Sequence, residues 1–200
     1  MARRKDHTAE QLKELIQSCG EKLIFRNGIA GLTARALAHE IGYTPGTIYN
    51  FYRDLNALII DINYRTLGHL QQHCEQQISG LADDFQKIKT LAYAYLEFAE
   101  QNPQAWQTLF GYTRNGKGNH SELPDYYLNR LTTLFQLIES TLTACMNVNV
   151  NQVHSTARLL WASIHGIAVL TFDGQLKLLG VADPRTIIDQ LLEGQRLLFT

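Results

Sequence analysis

The sequence predicts an all-α protein of about nine helices, and three observations indicate this fold class. Apolar residues recur at three- and four-residue intervals along most of the chain, as they do on the buried face of an amphipathic helix. No alternation of Val, Ile or Thr is long enough to indicate a strand. The chain has 200 residues, 45% of them hydrophobic, so it can bury a substantial core.

Three helices are predicted in the first 54 residues. Each follows a threonine that can act as its N-cap: Thr8, Thr33 and Thr44. The first helix begins with a capping-box pattern and is expected to run to Asn27. The second should end at Ile41, because Gly42 can adopt the left-handed conformation of a tight turn. Pro45 suits the first position of a short third helix.

Helical periodicity continues over the rest of the chain. The expected helices are 54–78, 85–101, 103–110, 125–146, 151–172 and 184–199. Asp54, Asn102 and Asp183 can cap three of them, and Gly80 is expected to break the first. The polar, glycine-rich stretch Gly111–Pro124 is expected to be a loop.

The overall charge of the chain excludes binding to nucleic acid or membrane by bulk electrostatics. The 18 Lys and Arg against 19 Asp and Glu leave a net charge of −1. Residues 1–54 hold eight basic and six acidic side chains, and the remainder holds ten and thirteen. A polyanion is therefore expected at the N-terminal end, although so small a difference is also typical of an ordinary solvated surface.

The cysteines and the terminus favour a cytoplasmic protein. The three cysteines are far apart and form no C-x-x-C, which argues against a disulfide scaffold or a zinc cluster. The basic N-terminus leads into polar residues, where a signal peptide would continue with an apolar segment. The most apolar stretch, Thr156–Phe172, contains Arg158 and His165, so we interpret it as a core helix and expect no membrane partner.

The segment 34–53 has the pattern of a helix-turn-helix. This motif needs a small residue between its helices, a glycine in the turn and a β-branched residue that packs the second helix back. Ala38, Gly42 and Ile48 occupy those positions. Because a helical hairpin of any function can contain the same three residues, the pattern alone also allows a purely structural turn.

A wider block of about 50 residues resembles the DNA-binding domain of the TetR family of bacterial transcriptional regulators. The residues that carry the resemblance are Phe25–Gly28, Gly31–Ala38, Ile41–Tyr52 and Leu58. Farther along, Trp161, His165 and Gly166 resemble the Trp-x-x-x-His-Gly signature of one subgroup's C-terminal domain. Asn102–Pro103 with Phe110 is similar to the matching region upstream.

The resemblance implies a homodimer that presents two recognition helices to successive major grooves of a palindromic double-stranded DNA operator. It implies a DNA-binding domain at 1–54 and a ligand-binding and dimerisation domain at 55–200. The residues expected to contact DNA are Thr33, Arg35, Thr44, Pro45, Gly46, Thr47, Tyr49, Asn50 and Arg53. Leu55 stands where family members usually place a phosphate-anchoring lysine, and Arg53 is the candidate replacement. Residues 3–5 are either a basic arm for the DNA or an ordinary solvated terminus.

Aromatic residues concentrate between positions 93 and 172, which favours an apolar cavity for a small apolar or aromatic ligand. The candidate ligand-binding residues are Tyr95, Phe98, Trp106, Phe110, Trp161 and His165. The same spacing is typical of a plain core, and His165 also suits a buried structural histidine. The helix over 151–172 is apolar on most of its circumference, so a second face is expected to pack in a homodimer beside the last helix.

Catalytic and metal-binding functions are less favoured. His39–Tyr43 begins like a zinc-protease motif but lacks the second histidine, and nucleophile-elbow and phosphate-loop signatures are missing. We therefore expect no enzyme activity and no cofactor. His69 and His73, with Cys74 adjacent, form either a metal site or, more typically, a solvated polar face. The hypothesis is a ligand-released repressor; the alternative is an all-helical binding protein or enzyme that does not bind DNA.

Overall fold

The computed structural model describes residues 7–114, 123–145 and 149–195. Over these residues the chain forms ten α-helices, a short 3-10 turn at Ile29–Gly31 and no strand, so the predicted all-α class is confirmed. In chain order the helices are α1 (Ala9–Asn27), α2 (Ala34–Ile41), α3 (Pro45–Tyr49), α4 (Leu55–Ile78), α5 (Asp84–Gln101), α6 (Pro103–Arg114), α7 (Asp125–Cys145), α8 (Val150–Phe172), α9 (Gln175–Leu178) and α10 (Pro184–Gln195). The predicted arm at residues 3–5 lies outside the described residues.

Several helix starts follow the predicted capping chemistry. The Thr8 hydroxyl accepts a hydrogen bond from the Gln11 amide at 3.2 Å, and the Gln11 side chain accepts from the Thr8 amide at 2.8 Å. Thr33 accepts from the Ala36 amide at 3.1 Å and so caps α2. Asp54 caps α4 in the same way, accepting from the amide of Ala57 at 2.8 Å.

Two helical segments differ from the prediction. Helix α6 continues through Gly111 to Arg114, where a loop was expected, because a single helical glycine costs only about 1 kcal/mol and does not end a helix. The helix α9 was not predicted. It has four residues and lies between Gly174 and Gly180, both with positive φ, so it is too short to produce a periodic pattern.

The chain divides into two compact units. The first contains residues up to Thr66 together with Asn102–Tyr127, and the second contains Leu67–Gln101 and the residues from Leu128 onward. Helices α4 and α7 each contribute residues to both units. The predicted division at residues 54 and 55 describes functional domains rather than these units, and it stays a prediction.

Each unit has its own apolar core. In the first, α1, α2, α3 and the start of α4 meet around side chains that are almost completely buried: Ile16, Ile24, Leu37, Ile48 and Leu58. In the second, the fully buried side chains come from α4, α5, α7 and α10: Leu67, Leu70, Leu96, Leu142, Ile188 and Leu192. None of the helices in the described ranges is long and apolar enough to cross a bilayer.

The turn after α2 gives a direct test of backbone conformation. Gly42 has a φ of 73°, and a Cβ added there would meet no atom within 4 Å. Replacing Gly42 with alanine is therefore expected to lower the free energy of unfolding by about 1–2 kcal/mol, entirely through backbone strain. Urea denaturation measures this loss. Because asparagine tolerates the left-handed region, Gly42→Asn should retain most of the stability, and equal losses for both variants would contradict this cause.

Candidate functional site

A helix-turn-helix forms in the first unit from α2 and α3. Leu37, Ala38 and Ile48 are buried, so the small and β-branched residues of the predicted pattern do pack the two helices together. The Tyr43 amide donates to the Ala38 carbonyl at 2.8 Å and closes the turn around Gly42. Tyr43 is held in turn by a 2.8 Å hydrogen bond between its hydroxyl and Nδ1 of His7.

The motif presents an exposed face, and its α3 part carries no charged side chain. Eight of the nine residues predicted to contact DNA are exposed: Thr33, Arg35, Thr44, Pro45, Gly46, Tyr49, Asn50 and Arg53. Tyr49 leaves 51% of its surface accessible. At Gly46 an added Cβ would have only the Thr44 hydroxyl nearby, at 3.9 Å, so the fold itself does not require a glycine there.

Thr47 is the residue that the structure does not bring to this face. It is only 5% exposed, and its hydroxyl lies 3.2 Å from the hydroxyl of Thr44. The reason is helical geometry: α3 has five residues, and its inward side holds Thr47 and Ile48 together. The Thr47 hydroxyl thus lies against Thr44 at the start of α3, and its contact with a phosphate stays a prediction.

The start of α4 carries Leu55 and, just before it, Arg53. Leu55 is half-buried and packs against the core of the first unit. Arg53 is exposed, with its Nε 3.4 Å from the carboxylate of Asp54, the residue that caps α4. Position 55 is therefore a packing position in this chain, and the role of Arg53 at a DNA phosphate stays a prediction.

A polar network that the sequence did not reveal fixes the chain just after α3. One Asp61 oxygen accepts from the Tyr52 hydroxyl at 3.0 Å and the Gln17 amide at 2.9 Å, and the other accepts from the Tyr126 hydroxyl. Burial, and then the charge of Asp61, raise the pKa of Tyr52, so its hydroxyl stays a donor. This network ties the end of the helix-turn-helix to α1, α4 and the first turn of α7.

The second unit contains a cavity of about 70 Å³ with an almost wholly apolar lining. It is lined by α4, α5, α7, α8 and α10, through residues that include Leu70, Cys74, Tyr95, Phe135, Trp161 and Leu192. None of the described residues that line it is acidic or basic. Burial raises the pKa of the Cys74 thiol to about 12, so this sulfur is a neutral, apolar part of the wall.

The family of the chain follows from its C-terminal half. Residues 88–194, more than half of the chain, match a family model described as the tetracyclin repressor-like, C-terminal domain. The chain belongs to the TetR family of transcriptional regulators. The match does not identify the subgroup with the Trp-x-x-x-His-Gly signature, so membership of that subgroup stays a prediction.

Solved structures share the fold of this TetR-family chain along almost its whole length. One is a protein of unknown function from Rhodococcus sp. RHA1, with 19% identity, a TM-score of 0.78 and full coverage of both chains. A second, described as a transcriptional regulator from Saccharomonospora viridis in complex with choline, has 16% identity and a TM-score of 0.69, with 93% of this chain and 95% of that chain covered. The fatty acid degradation regulator FadR from Bacillus halodurans has 14% identity and a TM-score of 0.63, with coverages of 98% and 97%.

Only part of the predicted ligand set lines the cavity of this TetR-family protein. Tyr95 and Trp161 do. His165 stands behind both: its Nδ1 lies 2.7 Å from the Tyr95 hydroxyl, and its ring stacks on Trp161 with a centroid distance of 5.2 Å. Phe98 is buried in the same unit but is not part of the lining, while Trp106 and Phe110 belong to the first unit.

The predicted set missed the contributions of α7 and Cys74. Four α7 residues line the cavity: Leu134, Phe135, Leu137 and Ile138. Their three- and four-residue spacing was a visible signal, but it does not by itself distinguish a cavity wall from solid core.

The candidate metal site at His69 and His73 is a separate question. His69 is exposed, and His73 Nε2 lies 3.7 Å from the Glu97 carboxylate. The described ranges hold no group of three or more His, Cys, Asp or Glu side chains suited to a metal ion.

Proposed function

We propose that this TetR-family protein is a cytoplasmic, dimeric repressor that leaves a palindromic operator when a small uncharged apolar ligand enters the cavity. The observation that carries the proposal is the exposed face of α2 and α3. It presents Arg35 from α2 and Gly46 and Tyr49 from the short helix α3. These residue types suit a duplex, and at Gly46 the fold itself does not require the glycine.

The face offers two kinds of DNA contact. Thr33, Tyr49 and Arg53 carry donors for phosphate oxygens, which position a protein without reading sequence. Arg35 can pair in bidentate fashion with guanine, a contact worth about 1–3 kcal/mol of discrimination. Pro45 and Gly46 add no hydrogen-bonding side chain, so they support recognition by close fit in the major groove.

A second copy of the chain supplies the other half of the operator contact. Helix α8 buries one face in its own unit, yet Leu159 and Leu170 on another face are 53% and 41% exposed. Ala162 lies exposed between them, and nothing lies within 4 Å of a Cβ placed at Gly166. An apolar row with small residues at its centre suits an isologous helix-helix contact, which we assign to the homodimer.

The apolar lining of the cavity favours an uncharged ligand. The S. viridis protein was solved with choline, a cation, and this cavity does hold the aromatic rings of Tyr95, Phe135 and Trp161. Without a carboxylate in the described lining, however, a buried positive charge would be poorly compensated. We therefore favour a neutral aromatic or aliphatic molecule over a quaternary ammonium compound.

Helix α4 is the proposed coupling element. Leu58 packs in the core that supports the helix-turn-helix, while Leu70 and Cys74 on the same helix line the cavity. A ligand acts only through unequal affinity for the DNA-competent and incompetent arrangements, so it must alter the position of a cavity wall. A wall that is also part of α4 meets that requirement.

The test is a titration of the dimer against palindromic fragments from upstream of its own coding region, at two salt concentrations. We expect sequence-dependent binding whose log K falls with log salt by about 0.9 for each neutralised phosphate. Arg35→Ala and Tyr49→Ala should each weaken binding while the dimer persists. Absence of binding even at low salt would favour the alternative, an all-helical binding protein or enzyme that uses the cavity without DNA.

A further inference from the structure

A groove of about 350 Å³ lies on the second unit beside the cavity. It is lined by residues of α7 and α8 that include Leu128, Leu131, Glu139, His154 and Arg158. Among the described residues, Phe135 is the one side chain that lines both the groove and the cavity. A single aromatic ring is therefore the shared wall of the two spaces.

The Phe135 ring is held from both sides. Within the unit it meets the Trp161 ring edge to face, with centroids 5.7 Å apart. On the groove side the guanidinium carbon of Arg158 lies 5.1 Å from the Phe135 ring centroid. Rotation of the ring toward the groove requires Arg158 to move.

Arg158 is itself held in place. Its Nη1 donates to Glu139 at 2.6 Å and to the His154 carbonyl at 2.8 Å. His154 Nδ1 lies 2.8 Å from the same Glu139 oxygen. The Glu139 side chain is only 13% exposed, whereas Arg158 and His154 are 56% and 46% exposed, so water shields only the outer part of the arrangement. Glu139, His154 and Arg158 together form a clamp over the Phe135 ring.

The size of the cavity indicates that the ring must move. The cavity has about 70 Å³, whereas an apolar protein cavity known to bind benzene has about 150 Å³. A ligand of aromatic size therefore needs more room than the closed walls give. Displacement of the Phe135 ring into the groove would enlarge the cavity and open it to solvent in one motion.

We infer that Phe135 is the gate through which an apolar ligand passes from the α7–α8 groove into the cavity, and that the Glu139–His154–Arg158 clamp holds this gate closed. The inference rests on the proposed function, because it assumes that the cavity takes a ligand. It assigns the groove as the route and Phe135 as the residue that sets the rate of ligand exchange.

Fluorobenzene is the probe for the test, and ¹⁹F exchange NMR on the full-length protein gives its affinity and its rates. We expect Phe135→Ala to raise the association rate at least tenfold. Arg158→Gln removes the charge of an exposed side chain. It should raise the association rate of fluorobenzene several-fold without loss of folding. Leu134→Ala is the matched control: it removes apolar volume from the cavity wall but not from the groove, so the association rate should stay within twofold.

Each outcome decides the inference. Uptake by Phe135→Ala but not by the wild type would support a tightly closed gate. Uptake by all proteins at association rates within twofold of the wild type would overturn the gate and leave the proposed function standing. No uptake by any of the four proteins would overturn both the gate and the apolar-ligand part of the proposed function. If Phe135→Ala does not fold, the association rate of Arg158→Gln decides alone.

Discussion

Replacing Gly46 with leucine is expected to weaken operator binding by roughly tenfold to one-hundredfold without lowering the free energy of unfolding. The fold accepts the larger side chain, because only the Thr44 hydroxyl lies near the added Cβ and the backbone of Gly46 does not have positive φ. Leucine also favours a helix over glycine by roughly 0.8 kcal/mol. On the DNA side, forcing bulk into a closely packed contact typically costs about 1–3 kcal/mol.

Urea denaturation and an operator titration measure the two effects separately. Gly111→Leu is the matched control, since Gly111 is also helical, lacks positive φ and has open space around its Cβ position. It lies in α6, which is not part of the helix-turn-helix, and should leave operator affinity unchanged. Full operator affinity in Gly46→Leu would show that α3 does not enter the groove, and equal losses in both variants would indicate an indirect effect.

The N-terminal part of the fold could be predicted because its determinants are local. Thr8 and Gln11 form their capping box within one turn, and Gly42 is required by the φ of a single residue. The burial of Thr47 could not be predicted in the same way, because Thr47 and Tyr49 both adjoin the buried Ile48 and yet only Tyr49 is exposed. The residues expected to contact DNA were predicted from the resemblance to the TetR family and not from the local pattern, and eight of the nine are exposed.

The cavity could be predicted only in part, because its walls come from five helices that are distant in sequence. Nothing in the local pattern of Trp106 and Phe110 shows that α6 belongs to the first unit while the helices on either side contribute to the second. The Asp61 network joins residues as far apart as Gln17 and Tyr126, and a lone aspartate in a helix carries no sign of such partners. Long-range packing decides these features, and periodicity does not record it.

Replacing Leu159 with arginine is expected to make the protein monomeric at micromolar concentration and to weaken binding to the palindromic operator by roughly 10² to 10⁴-fold. Leu159 is 53% exposed on the free face of α8, and at an isologous contact each substitution places two like charges in one apolar interface. Sedimentation velocity measures the association state. Leu128→Arg is the matched control, because Leu128 is 45% exposed but lies on α7, so it should leave the dimer intact.

A single half-site distinguishes loss of the dimer from damage to the recognition surface. A monomer with an intact helix-turn-helix loses only the gain from linking two binding events, so Leu159→Arg should bind one half-site as well as the wild type does. Loss of half-site binding as well would mean that Leu159 supports the fold of the chain and not the contact between copies. A persistent dimer would place that contact on another surface, and α8 would then need a different partner for its exposed leucines.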